Sequence, residues 1–162
     1  MWGRKPKTIV PPGERAPSFE LKSLGGSAQS IQEILSHGPA LLAFYKISCP
    51  VCQLIAPYLE RLAASGEIQM IGISQDDADS TTGFNQRFGV TFPTLLDEFS
   101  AGYPASNAYG ISSVPTLFLV DRDGRVAKSF TGFSKRDIEE LGERGGVAVF
   151  QESDSVPAWK AG

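Results

Sequence analysis

Ala40-Leu41-Leu42-Ala43-Phe44-Tyr45, running into Lys46-Ile47-Ser48-Cys49-Pro50-Val51-Cys52-Gln53-Leu54-Ile55-Ala56-Pro57, decides the fold of this chain. Six apolar residues without a break are the pattern of a strand buried on both faces. From Leu54 onward the spacing becomes helical: Leu54, Ile55, Tyr58, Leu59 and Leu62 fall on one stripe. That predicts a helix over Gln53 to Ala64. Between strand and helix stand Cys49 and Cys52, the chain's only 2 cysteines, in a C-x-x-C pair. Two thiols at this spacing can close into a small disulfide ring and reopen. If the pair starts the helix, the unpaired backbone N–H groups of the first turn favour the thiolate of the first sulfur, the form that attacks disulfides. Cys49 is then the exposed nucleophile, and Cys52, one turn on and more buried, the resolving thiol. The competing reading is half a metal site. A structural zinc takes about four ligands, and His37 is the only histidine, so no metal is expected.

Working outward, Ile68 to Ser74 reads as the next buried strand and completes a βαβ unit, whose crossover is expected to be right-handed. Upstream, a short strand is expected near Ser18 to Leu21. Ser30-Ile31-Gln32-Glu33 is a capping box that opens a short helix ending at Gly38. Downstream, Phe84 to Phe88 reads as a short helix stopped by Gly89, and Ala105 to Tyr109 as another before Gly110. Asp77 to Gly83 reads as a solvated loop that lacks the ligand spacing of a calcium site. Thr116 to Val120 and Arg125 to Thr131, joined by Asp121-Arg122-Asp123-Gly124, read as a hairpin. Ser134 caps a last helix reaching about Arg144. The sum is α/β: a mixed sheet with helices on both faces. Residues 1–12 read as an extended N-terminal segment, 13–144 as one domain, and 145–162 as a weakly patterned, flexible tail. Trp2 and Trp159 fall in the two ends.

With 162 residues the chain can bury a real core. Hydrophobic residues at 41% and charged residues at 20% are ordinary for a globular protein. A formal charge of −3 supplies no basic field for nucleic acid. No stretch reaches the ~18 apolar residues of a membrane span. Residues 1–19 lack the apolar core of a secretory signal, which points to the cytoplasm, or to the periplasm or another extracytoplasmic space if a leader has been removed.

Three motifs in series carry a family resemblance. Phe44 to Pro57 resembles the active-site strand and helix of the thioredoxin superfamily. Ser113-Val114-Pro115-Thr116-Leu117-Phe118-Leu119-Val120-Asp121 resembles the segment in which that superfamily places a cis-proline opposite the dithiol. Gly13-Glu14-Arg15-Ala16-Pro17-Ser18-Phe19-Glu20-Leu21 resembles the entry of its redoxin branch, which holds the TlpA/ResA-like disulfide reductases and the AhpC/TSA peroxiredoxins. The resemblance spans about residues 13–144. It implies a thioredoxin-like three-layer α/β/α sandwich with an N-terminal extension and, at Phe92 to Asp97, a redoxin-type insertion after the first βαβ unit. It also implies a cis Val114–Pro115 bond beside the dithiol, with Val114 and Pro115 meeting an extended substrate peptide. Pro50 and Val51 would tune the reduction potential; Pro50 also suits a first helical turn. Pro57 would be architectural.

The implied activity is thiol-disulfide exchange on protein disulfides, with no bound cofactor and with an upstream thiol reductase restoring the dithiol. Oligomeric state is left open. The chain departs from its relatives where proton transfer is concerned. The buried acid that thioredoxins carry in this strand is Ala43. The glutamate that ResA-like reductases carry three residues after the second cysteine is Ile55. The tryptophan that usually precedes the first cysteine is Ser48. Glu20 and the Asp76, Asp77 and Asp79 loop are the substitutes to consider for deprotonating Cys52. Lys46 reads as a solvated loop lysine and His37 as surface. The alternative activity is an AhpC/TSA-type thiol peroxidase. That chemistry wants a threonine three residues before its cysteine, where Lys46 stands, and an arginine that Ser113-Val114 does not offer. A non-catalytic binding module that keeps the fold is a third reading.

Overall fold

The computed structural model describes residues 8–162. Trp2 and most of the N-terminal segment lie outside them. Strand β1 (Glu20–Ser23) and β2 (Ala28–Ser30) lead into helix α1 (Ile31–Leu35). Ser30 caps it as the sequence foretold, its Oγ accepting the Glu33 N–H. Then follow β3 (Ala40–Tyr45), α2 (Pro50–Ala63), β4 (Gln69–Ser74), α3 (Ala78–Phe88), β5 (Thr94–Leu96) and a short 3₁₀ turn at Phe99–Ala101. Helix α4 (Pro104–Tyr109), β6 (Thr116–Val120), β7 (Val126–Thr131), β8 (Phe133–Ser134), α5 (Lys135–Gly145) and β9 (Trp159–Lys160) complete the chain.

The main sheet is mixed and seven-stranded, in the order β2-β1-β5-β4-β3-β6-β7. β3 lies at its heart, parallel to β4 and antiparallel to β6. All six β3 residues are buried because the sheet is covered on both sides. Leu41, Ala43 and Tyr45 face a core built with α2, α3 and α5, including Ile55, Leu59, Leu62, Phe84, Ile138 and Leu141. Ala40, Leu42 and Phe44 alternate to the other face, where α1 and α4 supply Ile31, Ile34, Ala105 and Tyr109. The result is the three-layer α/β/α sandwich. Each fully buried aliphatic side chain in such a core stabilises it by about 1.5–3 kcal/mol, so the alternating faces of β3 fix where its C-terminal end, and the dithiol, must lie.

Two expectations need correction. The Asp77–Gly83 stretch is not a loop: α3 begins at Ala78, because the Asp77 carboxylate accepts the Ser80 N–H and caps it. Thr81, on this polar turn, is buried and shares a 2.7 Å hydrogen bond with Ser74. The weakly patterned segment after α5 is not free either. Val149 is buried, Arg61 bonds Asp154 through Nη1 and Nη2 and reaches the Val149 carbonyl, and β9 pairs antiparallel with β8.

Candidate active site

The dithiol sits where β3 ends and α2 begins. Cys49 is the N-cap of α2, with extended backbone, and its Sγ accepts the Cys52 N–H at 3.2 Å. Pro50 occupies the first turn, where a missing N–H leaves nothing unpaired. The helix therefore starts three residues before the position its apolar stripe suggested, and the nucleophile candidate is itself the cap. The loop ahead of it is pinned from two sides. The Asp76 carboxylate accepts the Ile47 N–H at 2.8 Å, and the Gln53 side chain donates to the Ile47 carbonyl at 3.1 Å.

The two sulfurs meet different surroundings. Cys49 is half-buried at the surface and Cys52 is 1% exposed. Burial pushes the Cys52 thiol up, and the adjacent Cys49 sulfur and the Asp76 charge push it further; a hydrogen bond from the Lys46 backbone pulls the other way. Both cysteines are free thiols in this structure. Pro50 faces solvent at the mouth, while Val51 is buried in the core shared with α2.

Opposite the dithiol, the Val114–Pro115 bond is cis. The Cys49 thiol donates to the Val114 carbonyl at 3.4 Å, so Cys49, Cys52, Val114 and Pro115 share one site. Beside this turn opens a cavity of about 230 Å³, lined by Lys46, Gln75, Tyr103, Ser106, Ser113 and Val114 among others. Helix α4, on its wall, is anchored by Asp97. That fully buried carboxylate accepts the Ala105 and Ser106 N–H groups at 2.9 and 2.7 Å and the Ser106 hydroxyl as well.

The remaining candidates separate. Glu20 is exposed on β1, with β5 and β4 between it and β3, roughly 14 Å at ordinary strand spacing. Asp77 is spent on the α3 cap and Asp79 is exposed. Asp76 holds the dithiol loop through the Ile47 N–H, and its charge pushes the Cys52 thiol up. His37 is exposed ahead of Ala40, at the far end of β3 from Cys49, roughly 20 Å away. Among the described residues no group of His, Cys, Asp and Glu could hold a metal ion.

One part of the site escaped the sequence reading. Beneath the dithiol loop the Tyr45 hydroxyl donates to Asn85 Oδ1 at 2.8 Å, and Asn85 Nδ2 donates to Thr94 Oγ1 at 3.1 Å. This chain ties β3, α3 and β5 together and leaves no polar end unpaired. Burial pushes the Tyr45 hydroxyl up to about 12, so it stays a donor. Gly72 makes the room: a Cβ there would lie 3.0 Å from the Phe92 ring and 3.1 Å from Thr94 Oγ1. Polar residues scattered over three elements have no period, and only a lone glycine in an apolar strand hinted at close packing.

A family profile described as Redoxin matches residues 11–143. The thiol-disulfide oxidoreductase ResA of Geobacillus thermodenitrificans is 32% identical over 140 residues, covering 83% of this chain and 78% of that one. The dsbF of Mycobacterium tuberculosis, solved in mixed oxidised and reduced forms, superposes with a TM-score of 0.68 at 28% identity, over 79% of this chain and 92% of that one. Peroxidoxin BcpB of Mycobacterium tuberculosis also superposes, at TM-score 0.68 and 23% identity, over 84% of this chain and 94% of that one. The fold is thus shared by both chemistries weighed above, and the site has to separate them.

Proposed function

The chain belongs to the Redoxin family and is a thiol-disulfide oxidoreductase, and we propose that it exchanges protein disulfides with Cys49 attacking and Cys52 resolving. One observation carries this division of labour: Cys49 Sγ caps α2 at the surface and touches the Val114 carbonyl, while Cys52 lies buried behind it.

In the reducing direction the Cys49 thiolate attacks one sulfur of the substrate disulfide. A Cys49–substrate disulfide forms, and the other substrate sulfur leaves as a thiolate and takes a proton. The Cys52 N–H already directed at Cys49 Sγ faces the charge that shifts there during exchange. Cys52 then loses its proton and attacks Cys49 Sγ. The Cys49–Cys52 disulfide forms and the second substrate thiol departs, so two electrons have passed from protein to substrate. Asp76 fixes the loop through the Ile47 N–H and its charge acts on the Cys52 thiol, which makes it the carboxylate we assign to receive the Cys52 proton. An upstream thiol reductase restores the dithiol. The same steps run backwards where the surroundings are more oxidising than the pair, so the compartment sets the direction. The Val114–Pro115 turn would take the substrate as an extended segment, using main-chain bonds that do not depend on its sequence. Among the described residues no helix is long and apolar enough to cross a membrane.

A competition tests the reading. Fully reduced protein is offered a protein disulfide and hydrogen peroxide, and the rate of Cys49–Cys52 oxidation by each is followed. Disulfide is expected to win by orders of magnitude. Faster oxidation by peroxide would replace the proposal with a thiol peroxidase.

A further inference from the structure

The segment after α5 is held in two unequal ways. Its first part is anchored through side chains: Val149 is 2% exposed, Val147, Phe150 and Val156 pack on the α2 core, and Asp154 is gripped by Arg61. Its second part, beyond Pro157, has no buried side chain and no ion pair among the described residues. Trp159 is 60% exposed and Lys160 is exposed too, and among the described residues the hydrogen bonds that hold β9 are those of main-chain pairing, Phe133 with Lys160 and Ser134 with Trp159, together with the bond from Lys135 N–H to the Ala158 carbonyl.

That lightly held strand leads to the dithiol. Gly132, between β7 and β8, accepts the approach of Lys160 because it has no side chain, and its N–H donates to the Pro115 carbonyl at 2.8 Å. Two residues on, the backbone of Gly162 lies so close to the Val114 carbonyl that any side chain at 162 would overlap it, and Pro115 Cδ is next to it. Gly162 and the Cys49 thiol therefore converge on one carbonyl group. A substrate segment paired at the Val114–Pro115 turn needs the same edge.

We propose that residues 159–162 are a strap occupying the peptide-binding edge of the active site, which an extended substrate polypeptide must displace before its disulfide reaches Cys49. This rests on the reading of the Val114–Pro115 turn as the substrate site. The strap is built for displacement. Two residue pairs of ladder with largely exposed side chains are held chiefly by main-chain hydrogen bonds, each of modest net worth because water or a substrate backbone can replace it. A polypeptide able to add a strand replaces those bonds one for one. A small disulfide needs no edge and reaches the half-buried Cys49 sulfur without moving the strap. The strap thus selects for unfolded, extended protein substrates and slows partners that cannot pair.

The test compares the full chain with a deletion of residues 159–162 and with Lys160→Pro, which keeps the length but removes a ladder donor. Each is assayed with a disulfide-bonded extended peptide and with Ellman's reagent. Opening the edge is expected to raise kcat/KM for the peptide about tenfold and leave the rate with Ellman's reagent within twofold. A synthetic peptide of residues 156–162, added to the deletion variant, is expected to restore the slower peptide rate competitively. Peptide rates that stay level or fall in both variants, or a rise shared equally by Ellman's reagent, overturn the strap. Ellman's reagent also checks the reading beneath it. If the full chain reacts no faster than its Cys49→Ser variant, the dithiol reading has failed and the strap falls with it; a working dithiol with unchanged peptide rates removes the strap alone.

Discussion

Cys49 and Cys52 are the same residue one helical turn apart, and the molecule treats them as opposites. Cys49 has extended backbone, sits half-buried at the surface, caps α2 and donates to a carbonyl across the groove. Cys52 has helical backbone, is 1% exposed, and shares a core with Ile55, Leu59 and Leu117. Nothing in the side chain distinguishes them. The difference comes from where α2 starts: the residue before the first turn is presented outward, and the residue one turn later falls on the stripe that packs against β3. A helix boundary thus converts a symmetric pair of thiols into an exposed and a buried one, and it does so with Ala43 and Ile55, neither of them an acid, at the two positions where the resemblance led one to expect a carboxylate.

The comparison breaks most sharply if the two positions are interchangeable. Cys49→Ser is expected to lower turnover of a protein disulfide by about 10³-fold or more, as removal of a nucleophile does. A variant that retained even a tenth of the activity would mean that Cys52 can attack unaided and that its burial does not matter. Cys52→Ser is expected to behave differently. It keeps the first step and stalls at the second, so a Cys49–substrate adduct should accumulate and be visible by mass spectrometry. Steady turnover in Cys52→Ser without an adduct would show that exchange resolves by another route.

How much of this the sequence carried depends on whether a signal was local. β3 was legible at both bounds, because six consecutive apolar residues have one structural meaning when a helix pattern follows. The place of the dithiol followed from the same stretch. The apolar stripe puts the start of α2 three residues late, since Cys49 and Pro50 belong to the helix through a cap and a first turn. α3 lost its first six residues for a related reason. Ala78 to Gly83 carries no stripe, and Thr81 is buried with its hydroxyl satisfied by Ser74, so polarity there does not signal exposure. The cis bond was legible only through the order of motifs, not from Val114–Pro115 itself. The Tyr45–Asn85–Thr94 chain and the approach of β9 to β8 were not legible at all. Each depends on residues from distant parts of the chain, and β9 has two exposed residues and hence no pattern to read.

The smallest effect expected is thermodynamic and isolates the buried member of the pair. Burial raises the Cys52 thiol above its ordinary value, whereas in the unfolded chain it titrates near pH 8.5. Above that pH the unfolded chain gives up a proton that the folded chain keeps, so stability falls as pH rises. Below it both states hold the proton and the contribution is constant. The limiting slope for one proton is about 1.4 kcal/mol per pH unit, and integrated from neutral pH the loss reaches about 1.4 kcal/mol by about pH 9.5. Urea unfolding of the reduced protein and of Cys52→Ser at neutral and alkaline pH separates this from every other group. Cys49, Tyr45 and Tyr109 are common to both proteins, and only the difference between them reports Cys52. The gap between the two unfolding midpoints is expected to narrow or change in favour of the serine variant as pH rises above 8.5. A gap independent of pH would mean that Cys52 ionises as readily in the folded protein as in the unfolded one. Burial would then contribute nothing to the contrast between the two sulfurs, and the outward presentation of Cys49 would have to account for all of it.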